Sequence, residues 1–485
     1  MGGIQLRSNF LWSLGLVFAF HATAFAHPGE HGTKQAPWQQ ASDWPDRIVA
    51  TVEGDPATSI SVSWRTDASV VSTKAEIALA RGDARFDREA RAVEAETQLM
   101  DLTTIRAGNL SFEVTHNSGL PPTHHHSVRF DRLEPDTLYA YRVQGADRQW
   151  SEWFQTRTAP LSGPIRFIYF GDAQNGLASH WPRVIRAAFQ EAPDARFILH
   201  AGDLVNRGSR DLEWAHWFRA GSFIHGVIPA IPVTGNHEYD DYELSADEEI
   251  ELLSLLWRPQ FRLPVEAQLS EALHETVYSV RYSADLEVFV LNTNIDDLSE
   301  QAEWLDAKLE ESDVRWRVVS MHHPIFSSGR GRDSAGRRAV LLPILLKHKV
   351  DLVLQGHDHT YARGTLPSQD QVPSRTARTD GESVTSMFVN SVSGSKQYNF
   401  SEDGWDKYAA TGVRLDRKAE NTQFFQVIEI DEDALHYAAY SADGVLYDEF
   451  RLAKEPGGSK KITNTEELPP ERRFDNTLPY EDVQE

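Results

Sequence analysis

The alternation of apolar and polar positions divides the 485-residue chain into stretches of different texture. Near the amino end the apolar run "FLWSLGLVFAF" (Phe10 to Phe20) follows Arg7 and precedes "ATAFA" (Ala22 to Ala26). A short apolar segment behind a positive charge and ahead of an A-x-A site has the form of an export signal, so residues 1–26 are expected to be cleaved off after Ala26. The run is shorter than the ~20 residues a spanning helix needs, which argues against a membrane anchor. Residues 27–45, "HPGEHGTKQAPWQQASDWP", lack a period and read as an extended linker, in which His27 and His31 are assigned to a solvated tail rather than a metal site.

From residue 46 the period becomes two. In "TSISVSWRT", Ile60, Val62 and Trp64 fall on one face and Ser61, Ser63 and Arg65 on the other, and "AEIALA", "HHSVRF" and "TLYAYRVQG" repeat the pattern between turn residues. Short alternating strands over about a hundred residues predict an all-β sandwich across 46–159, with His124, His125 and His126 beside or within one of its strands in a structural role. After the Pro160–Pro164 linker, continuous apolar runs alternate with helical patterns: "IRFIYF", "WPRVIRAAFQEA", "ARFILHAGD", "DLEWAHWFRAGSF" and "IPAIPVTG", then "VFVLNTN", "SEQAEWLDAKLEES", "WRVVSMHH", "RRAVLLPILLKHK" and "VDLVLQGHDH". Unbroken apolar strands are those covered on both faces, so 164–452 is predicted to be an α/β domain. It is interrupted by an acidic insertion, 239–275, expected to contain a helix at "DEEIELLSLLW", and it closes with β-rich segments. Residues 453–485 are rich in Glu, Pro and Lys without period and are expected to form a flexible tail.

The chain has no cysteine, which removes disulfides, thiolate ligands and cysteine nucleophiles together. An exported chain without disulfides suits the bacterial periplasm or secretion from a bacterium. The formal net charge of −24 repels nucleic acid and anionic membranes, so neither polymeric nucleic acid nor stable membrane insertion is expected. A small phosphorylated molecule would need local positive charge to bind such a surface, which points to metal ions.

Polar residues recur at the ends of the apolar runs. Asp172 follows "FIYFG", Asp203 follows "FILHAG", Asn236 and His237 follow "IPVTG", His322 follows "VVSM", and His357 and His359 follow "DLVLQG". Each alone reads as a turn former, helix cap or ordinary histidine. Five successive strands ending this way predict convergence, because the carboxyl ends of strands in an α/β sheet meet on one edge. Carboxylate, amide and imidazole without sulfur suit zinc, manganese or iron, and so many donors suit two ions with a shared carboxylate rather than one tetrahedral ion.

"GDAQ", "GDLVN", "GNHE", "VSMH" and "GHDH", in this order, resemble the five motif blocks of the calcineurin-like metallophosphoesterases, and specifically of the purple acid phosphatases and their bacterial relatives. "VSWRT", "FDRLEPDTLYAYRV" and "WFQTRTAP" are similar to that family's fibronectin type III-like amino-terminal domain, so the resemblance spans residues 46 to 452. It implies a four-layer α/β metallophosphoesterase sandwich preceded by an all-β fibronectin-like sandwich. It further implies that Asp203 bridges two metal ions, that Asp172 and His359 bind the first, that Asn236, His322 and His357 bind the second, and that His237 contacts phosphate and protonates the leaving group. The implied reaction is hydrolysis of a phosphomonoester by a metal-bound hydroxide attacking in line.

Two departures qualify this. The position where purple acid phosphatases carry an iron-binding tyrosine is Asn206, and the histidine that other metallophosphoesterases place two residues after the first aspartate is Gln174. Gln174, in preference to Asn206, is expected to give an amide oxygen to the first ion, and loss of tyrosinate implies a colourless enzyme with divalent Fe, Mn or Zn. Downstream of "HHP", where purple acid phosphatases carry a further substrate-facing histidine, the chain reads "IFSSGRGRDSAGRR". There Arg330 and Arg332 are either phosphate ligands or a solvated basic loop, and Asn206 is a further candidate for substrate contact. His323 is expected to support a ligand rather than be one, and Glu238 either orients His237 or caps a turn. The rival readings are a phosphodiesterase or nucleotidase on the same metals, and a non-catalytic binding protein that uses its β-sandwich.

Overall fold

The computed structural model describes residues 36–368, 381–455 and 460–472; the segment expected to be an export signal, His27 and His31 lie outside the described residues. Ten strands form the amino-terminal domain: β1 (Asp46–Thr51), β2 (Ile60–Asp67), β3 (Lys74–Leu79), β4 (Arg91–Glu94), β5 (Glu96–Met100), β6 (Thr104–Ala107), β7 (Leu110–Glu113), β8 (Thr123–Phe130), β9 (Leu138–Val143) and β10 (Phe154–Arg157). One sheet runs β1-β2-β8-β5 and the other β4-β3-β9-β10, with β6 and β7 as a separate hairpin. Ile60, Val62 and Trp64 pack between the sheets with Ala75, Ile77, Phe130, Tyr141 and Val143, as the period-two pattern predicts. Their polar neighbours Ser61, Ser63 and Arg65 are buried as well, because the next domain covers that face. Arg65 meets Asp46 at 2.7 Å, while Arg262 of the insertion reaches Glu53 at 2.5 Å. His126 lies inside β8 between the hydroxyls of Thr66 and Thr97, at 2.8 and 2.9 Å, a structural role.

The second domain begins with β11 (Ile165–Phe170), α1 (Trp181–Glu191), β12 (Ile198–His200), α2 (Asp211–Gly221), α3 (Ile224–Val227) and β13 (Ala230–Pro232). The insertion follows as β14 (Tyr239–Ser245), β15 (Glu248–Leu253) and α4 (Trp257–Gln260). Then come β16 (Tyr278–Arg281), β17 (Leu286–Leu291), α5 (Ser299–Glu311), β18 (Trp316–Met321), α6 (Ala335–Lys347), β19 (Leu352–Gln355), β20 (Tyr361–Pro367), β21 (Glu382–Asn390), β22 (Arg414–Ala419), β23 (Phe424–Ile430), β24 (Ala434–Ser441), β25 (Leu446–Lys454) and β26 (Lys460–Asn464). Strands β11, β12 and β13 run parallel, as do β17, β18, β19 and β21. Alternate residues of one strand enter two different cores. Val288, Val290, Val318, Leu352 and Leu354 join the cluster containing Tyr169 and Phe424, whereas Phe289, Leu291, Val319, Met321 and Val353 pack with Leu305 of α5 and Leu341 of α6. That division is the four-layer arrangement, two sheets face to face with helices outside each, and it explains why these strands read as unbroken apolar runs. No helix among the described residues is long and apolar enough to cross a membrane.

Three expectations change. The segment expected to be helical at "DEEIELLSLLW" is the second arm of a β-hairpin, with Tyr242 opposite Ile250 and Tyr239 opposite Leu253; only Trp257–Gln260 is helical. The tail expected beyond Lys454 includes β26, which pairs with β25 and β21 and buries Ile462 and Lys460, the latter 3.0 Å from the buried Asp351. Residues 36–45 do more than link: Trp38 lies over the Arg219 guanidinium at 3.9 Å and the Gln39 carbonyl accepts from Arg65. The two domains are also joined through backbone, since β1 lies parallel to β13 with Thr51 opposite Ala230. Buried Asp211, at the start of α2, receives Arg47 at 2.7 Å, and Asn117 donates to the Ser209 carbonyl and accepts from the Asp211 N–H.

Candidate metal centre

Asp172, Asp203, Asn236, His322, His357 and His359 stand just beyond the carboxyl ends of β11, β12, β13, β18 and β19, and the fold brings all six together. The turns that carry them are sharp. Asp203, His357 and His359 have φ of 51, 76 and 46°, left-handed values that cost a non-glycine residue about 1–3 kcal/mol and persist where the surroundings impose them. Gly202, at φ 88°, leaves room for the His322 ring, which an added Cβ would approach to 2.5 Å.

The donor atoms form two groups that share one carboxylate. Asp203, His322 and His357 offer atoms within 4.8 Å of one another, as do Asp172, Asp203 and His359. His322 Nε2 lies 3.1 Å from Asp203 Oδ2 and 3.1 Å from Asn236 Oδ1, and His357 Nδ1 lies 2.9 Å from the same amide oxygen. On the other side His359 Nε2 is 3.2 Å from Asp172 Oδ2. Two of the imidazoles have their other nitrogen on a carbonyl: His322 Nδ1 donates to the Ala201 carbonyl and His359 Nδ1 to the Lys396 carbonyl. These bonds fix the tautomers that turn Nε2 into the cluster. The His357 N–H donates to Asp172 Oδ1 at 2.6 Å, tying the first and last ligand turns together.

The electrostatics suit cations. Burial pushes the Asp172 carboxyl up, with Asp203 adding to the effect against His322. Burial works to lower His322, but Asp203 and Asp172 outweigh it and push the imidazole up to about 9. His359 is pushed down to about 3 by burial and Lys396, leaving it a neutral donor. Asp172 Oδ2 and Gln174 Oε1 are buried without a hydrogen-bond partner. Two buried carboxylates, one of them with an orphaned oxygen, three imidazoles, the Asn236 amide and the orphaned Gln174 oxygen are a donor set that fits metal ions.

Glu238 lies wholly buried and accepts the N–H groups of Asp203, Leu204 and Gly235 at 2.8, 2.8 and 2.7 Å. It holds the Asp203 turn rather than His237. His237 is positioned by Asn206, whose carbonyl accepts Nδ1 at 2.7 Å and leaves Nε2 as the nitrogen able to face a ligand. Asn206 is in turn fixed through its own N–H by Glu213 of α2 at 2.6 Å, so its backbone is what it brings to the site. The Gln174 amide nitrogen sits 2.7 Å from Asp203 Oδ2 and 3.0 Å from His359 Nε2, and a half-turn of the amide would put its orphaned oxygen there instead. His323 touches His357 with ring centres 4.1 Å apart and has Nδ1 on Thr293 Oγ1 at 3.0 Å, so it braces a ligand.

Arg332 reaches the cluster and Arg330 does not. Arg332 contacts His357 Nε2 and pairs through Nε with Asp358 at 3.1 Å, whereas the Arg330 side chain is 61% exposed beside Glu402 at 3.5 Å. The sequence reading missed Thr293, Asp358 and Tyr398. Thr293 and Asp358 carried the same signal as the ligands, a polar residue at a strand end or inside "GHDH"; Tyr398, whose ring lies 4.5 Å from that of His359, carried none.

Residues 165–361 match the calcineurin-like phosphoesterase family, and residues 45–158 match the purple acid phosphatase N-terminal domain. Purple acid phosphatase 18 of Arabidopsis thaliana is 24% identical over 363 residues, covering 72% of this chain and 74% of that protein. Purple acid phosphatase 21 of the same plant is 28% identical over 246 residues, 49% of this chain and 53% of its own length, and the match covers about half of the length of most other curated relatives. The structure of purple acid phosphatase PPD1 from yellow lupin (Lupinus luteus) seeds superposes with a TM-score of 0.66 at 18% identity, over 85% of this chain and 75% of that one, a likeness of fold. With both domain matches in the expected order and the strand-end residues gathered at one edge, the chain joins a purple acid phosphatase N-terminal domain to a calcineurin-like phosphoesterase domain, the domain of metal-dependent phosphoester hydrolases.

Proposed function

We propose that the protein is an exported, dinuclear-metal phosphatase that hydrolyses small phosphomonoesters. The observation that carries the reading is the shared carboxylate: Asp203 belongs to both donor groups, the geometry needed to hold two ions side by side. In this reading Asp172, Asp203, His359 and the Gln174 amide oxygen hold the first ion, and Asp203, Asn236, His322 and His357 the second. Divalent Fe, Mn or Zn bound there supplies Lewis acidity toward phosphoryl oxygens and a water acidic enough to ionise near neutral pH. A neutral amide at Gln174 lacks the charge with which a phenolate stabilises ferric iron, which favours divalent ions and a colourless protein.

The remaining work falls to the chain. Glu238 holds the Asp203 turn by accepting the N–H groups of Asp203 and Leu204, and ties the Gly235 N–H to the same carboxylate. His237, with Nδ1 committed to Asn206, presents Nε2; protonated there, it gives a proton to the departing oxygen. Export rests on the Phe10–Phe20 run and the Ala22–Ala26 site, together with the lack of cysteine.

The test is turnover by the mature chain on a chromogenic phosphomonoester and the matching diester, with zinc, manganese or ferrous iron and with a chelated control. Chelator-sensitive preference for the monoester is expected. Preference for the diester would make it a phosphodiesterase, and inactivity on both with two ions bound would favour a binding role.

A further inference from the structure

We infer that Arg332, together with the Nε2 edge of His357, forms the subsite for the third phosphoryl oxygen and makes the centre selective for phosphomonoester dianions. The inference rests on the phosphatase reading above and deepens it. The loop Ser328–Arg332 is shaped by Gly331, at φ 75°, and is fastened by the Ser328 and Gly329 N–H groups, which both donate to Asp358 Oδ2. Asp358 is buried between His357 and His359 in sequence, and its other oxygen takes Arg332 Nε at 3.1 Å. The guanidinium therefore pivots on a fixed carboxylate.

From that pivot Arg332 spans the outer side of the cluster. Its Nη2 contacts His357 Nε2, and its Cζ lies 5.1 Å from the centre of the Tyr398 ring, which itself lies 4.5 Å from the ring of His359. The contact with His357 cannot survive metal binding unchanged. With Nδ1 engaged by an ion, His357 carries its proton on Nε2, and Nε2–H and the guanidinium are then two donors directed at one place. What fits between two donors, one of them cationic, is an anionic oxygen. Arg332 Nε is the nitrogen that pairs with Asp358, and Nη2 is the one that meets His357.

This sets the substrate class. A phosphomonoester dianion has three non-bridging oxygens: two for the ions and one for Arg332 and His357. A diester has two, so its third position is an ester oxygen bearing carbon, which gives the guanidinium a weak acceptor and a steric conflict.

The experiment uses the mature, metal-loaded chain as wild type, Arg332→Ala, Arg332→Lys and, as control, Arg330→Ala. Three readouts are taken: ion content, inorganic phosphate binding by calorimetry, and kcat/KM on an aryl phosphomonoester and the matching aryl methyl diester. Two ions should remain in every variant. Phosphate affinity and monoester kcat/KM should fall on the order of 10- to 100-fold in Arg332→Ala, with diester turnover changed less than about threefold. Arg332→Lys should restore part of the loss, because it keeps the charge without the fork. Equal losses on both esters, or phosphate affinity unchanged by Arg332→Ala, would overturn the inference. If wild type binds phosphate in an Arg332-dependent way but hydrolyses neither ester, the subsite stands and the phosphatase reading falls; if it binds no phosphate, the subsite falls.

Discussion

Replacing Gly235 by alanine isolates the placement of the shared carboxylate. Gly235 has φ −101° and ψ −176°, which any residue adopts, so the change adds no backbone strain. Its cost is contact. An added Cβ would lie 2.1 Å from Asp203 Oδ1, 2.5 Å from Asp203 N and 2.9 Å from Asp203 Cγ, where van der Waals separation is about 3.5 Å. Asp203 must retreat by more than about 1 Å, and nothing around it yields. Oδ1 accepts the His237 N–H at 2.9 Å, Oδ2 takes Gln174 at 2.7 Å, and the Asp203 N–H is held by Glu238. A displacement of that size costs catalysis on the order of 10²-fold, and the overpacking costs about 1–3 kcal/mol of stability. Gly82→Ala is the control, since its Cβ would meet nothing within 4 Å. The assay is ion stoichiometry after dialysis against dilute chelator, followed by kcat on a chromogenic phosphomonoester. Gly235→Ala should lose both ions more readily and turn over ~100-fold more slowly. Full ion content with kcat within about twofold of wild type would refute the claim that Asp203 must sit where this structure puts it.

His237→Ala should retain both ions while kcat falls by about 10²–10⁴-fold on an alkyl phosphate and less on a nitrophenyl phosphate, whose leaving group needs no proton; equal losses on the two would remove the proton-donor role. Gln174→Leu should weaken the first ion by about 10–100-fold and leave the second in place, read by stepwise metal titration, and a single unchanged isotherm would count against an amide ligand. Burial pushes the Asp211 carboxyl up but Arg47 and Arg65 outweigh it, so its folded value is depressed. Its stabilisation is therefore complete above the ordinary value of 3.8 and is lost as pH falls through the lower folded value. The same burial lowers Arg47, so the pair adds little net stability while breaking it is costly. Asp211→Asn should cost about 3 kcal/mol at pH 7 in urea unfolding, with the gap narrowing below pH 3.8; a gap constant down to pH 2 would contradict the linkage.

The residues gathered at the centre were legible because strands buried on both faces announce themselves as apolar runs, and the residue that ends such a run stands out. Asp172, Asp203, Asn236, His322, His357 and His359 were found in this way. What stayed hidden depends on partners distant in sequence. The apolar positions Ile250, Leu252, Leu253 and Leu256 satisfy a helical spacing, and only pairing with Tyr239–Ser245 makes the first three part of a strand. The Lys460–Asn464 segment looks like a solvated tail until Asp351 supplies a buried partner for Lys460. That Ser61, Ser63 and Arg65 are covered by the second domain was not legible, because a period of two reports which residues share a side, never what covers it. Tyr398 reaches the site from a β-rich close with no motif of its own.

The joint between the domains has a consequence for how such a protein can be taken apart. One chain matches two families, which invites treating the fibronectin-like part as an optional module. Yet Asn117 and Arg47 from that part grip Ser209 and Asp211, at the end of the loop that runs from Asp203 through Asn206 and whose Asn206 carbonyl aims His237. Removing residues before 160 would also strip β13 of its neighbour β1. A transplant between relatives would therefore have to carry the whole seam, since the loop that holds Asp203 is set from both sides of it.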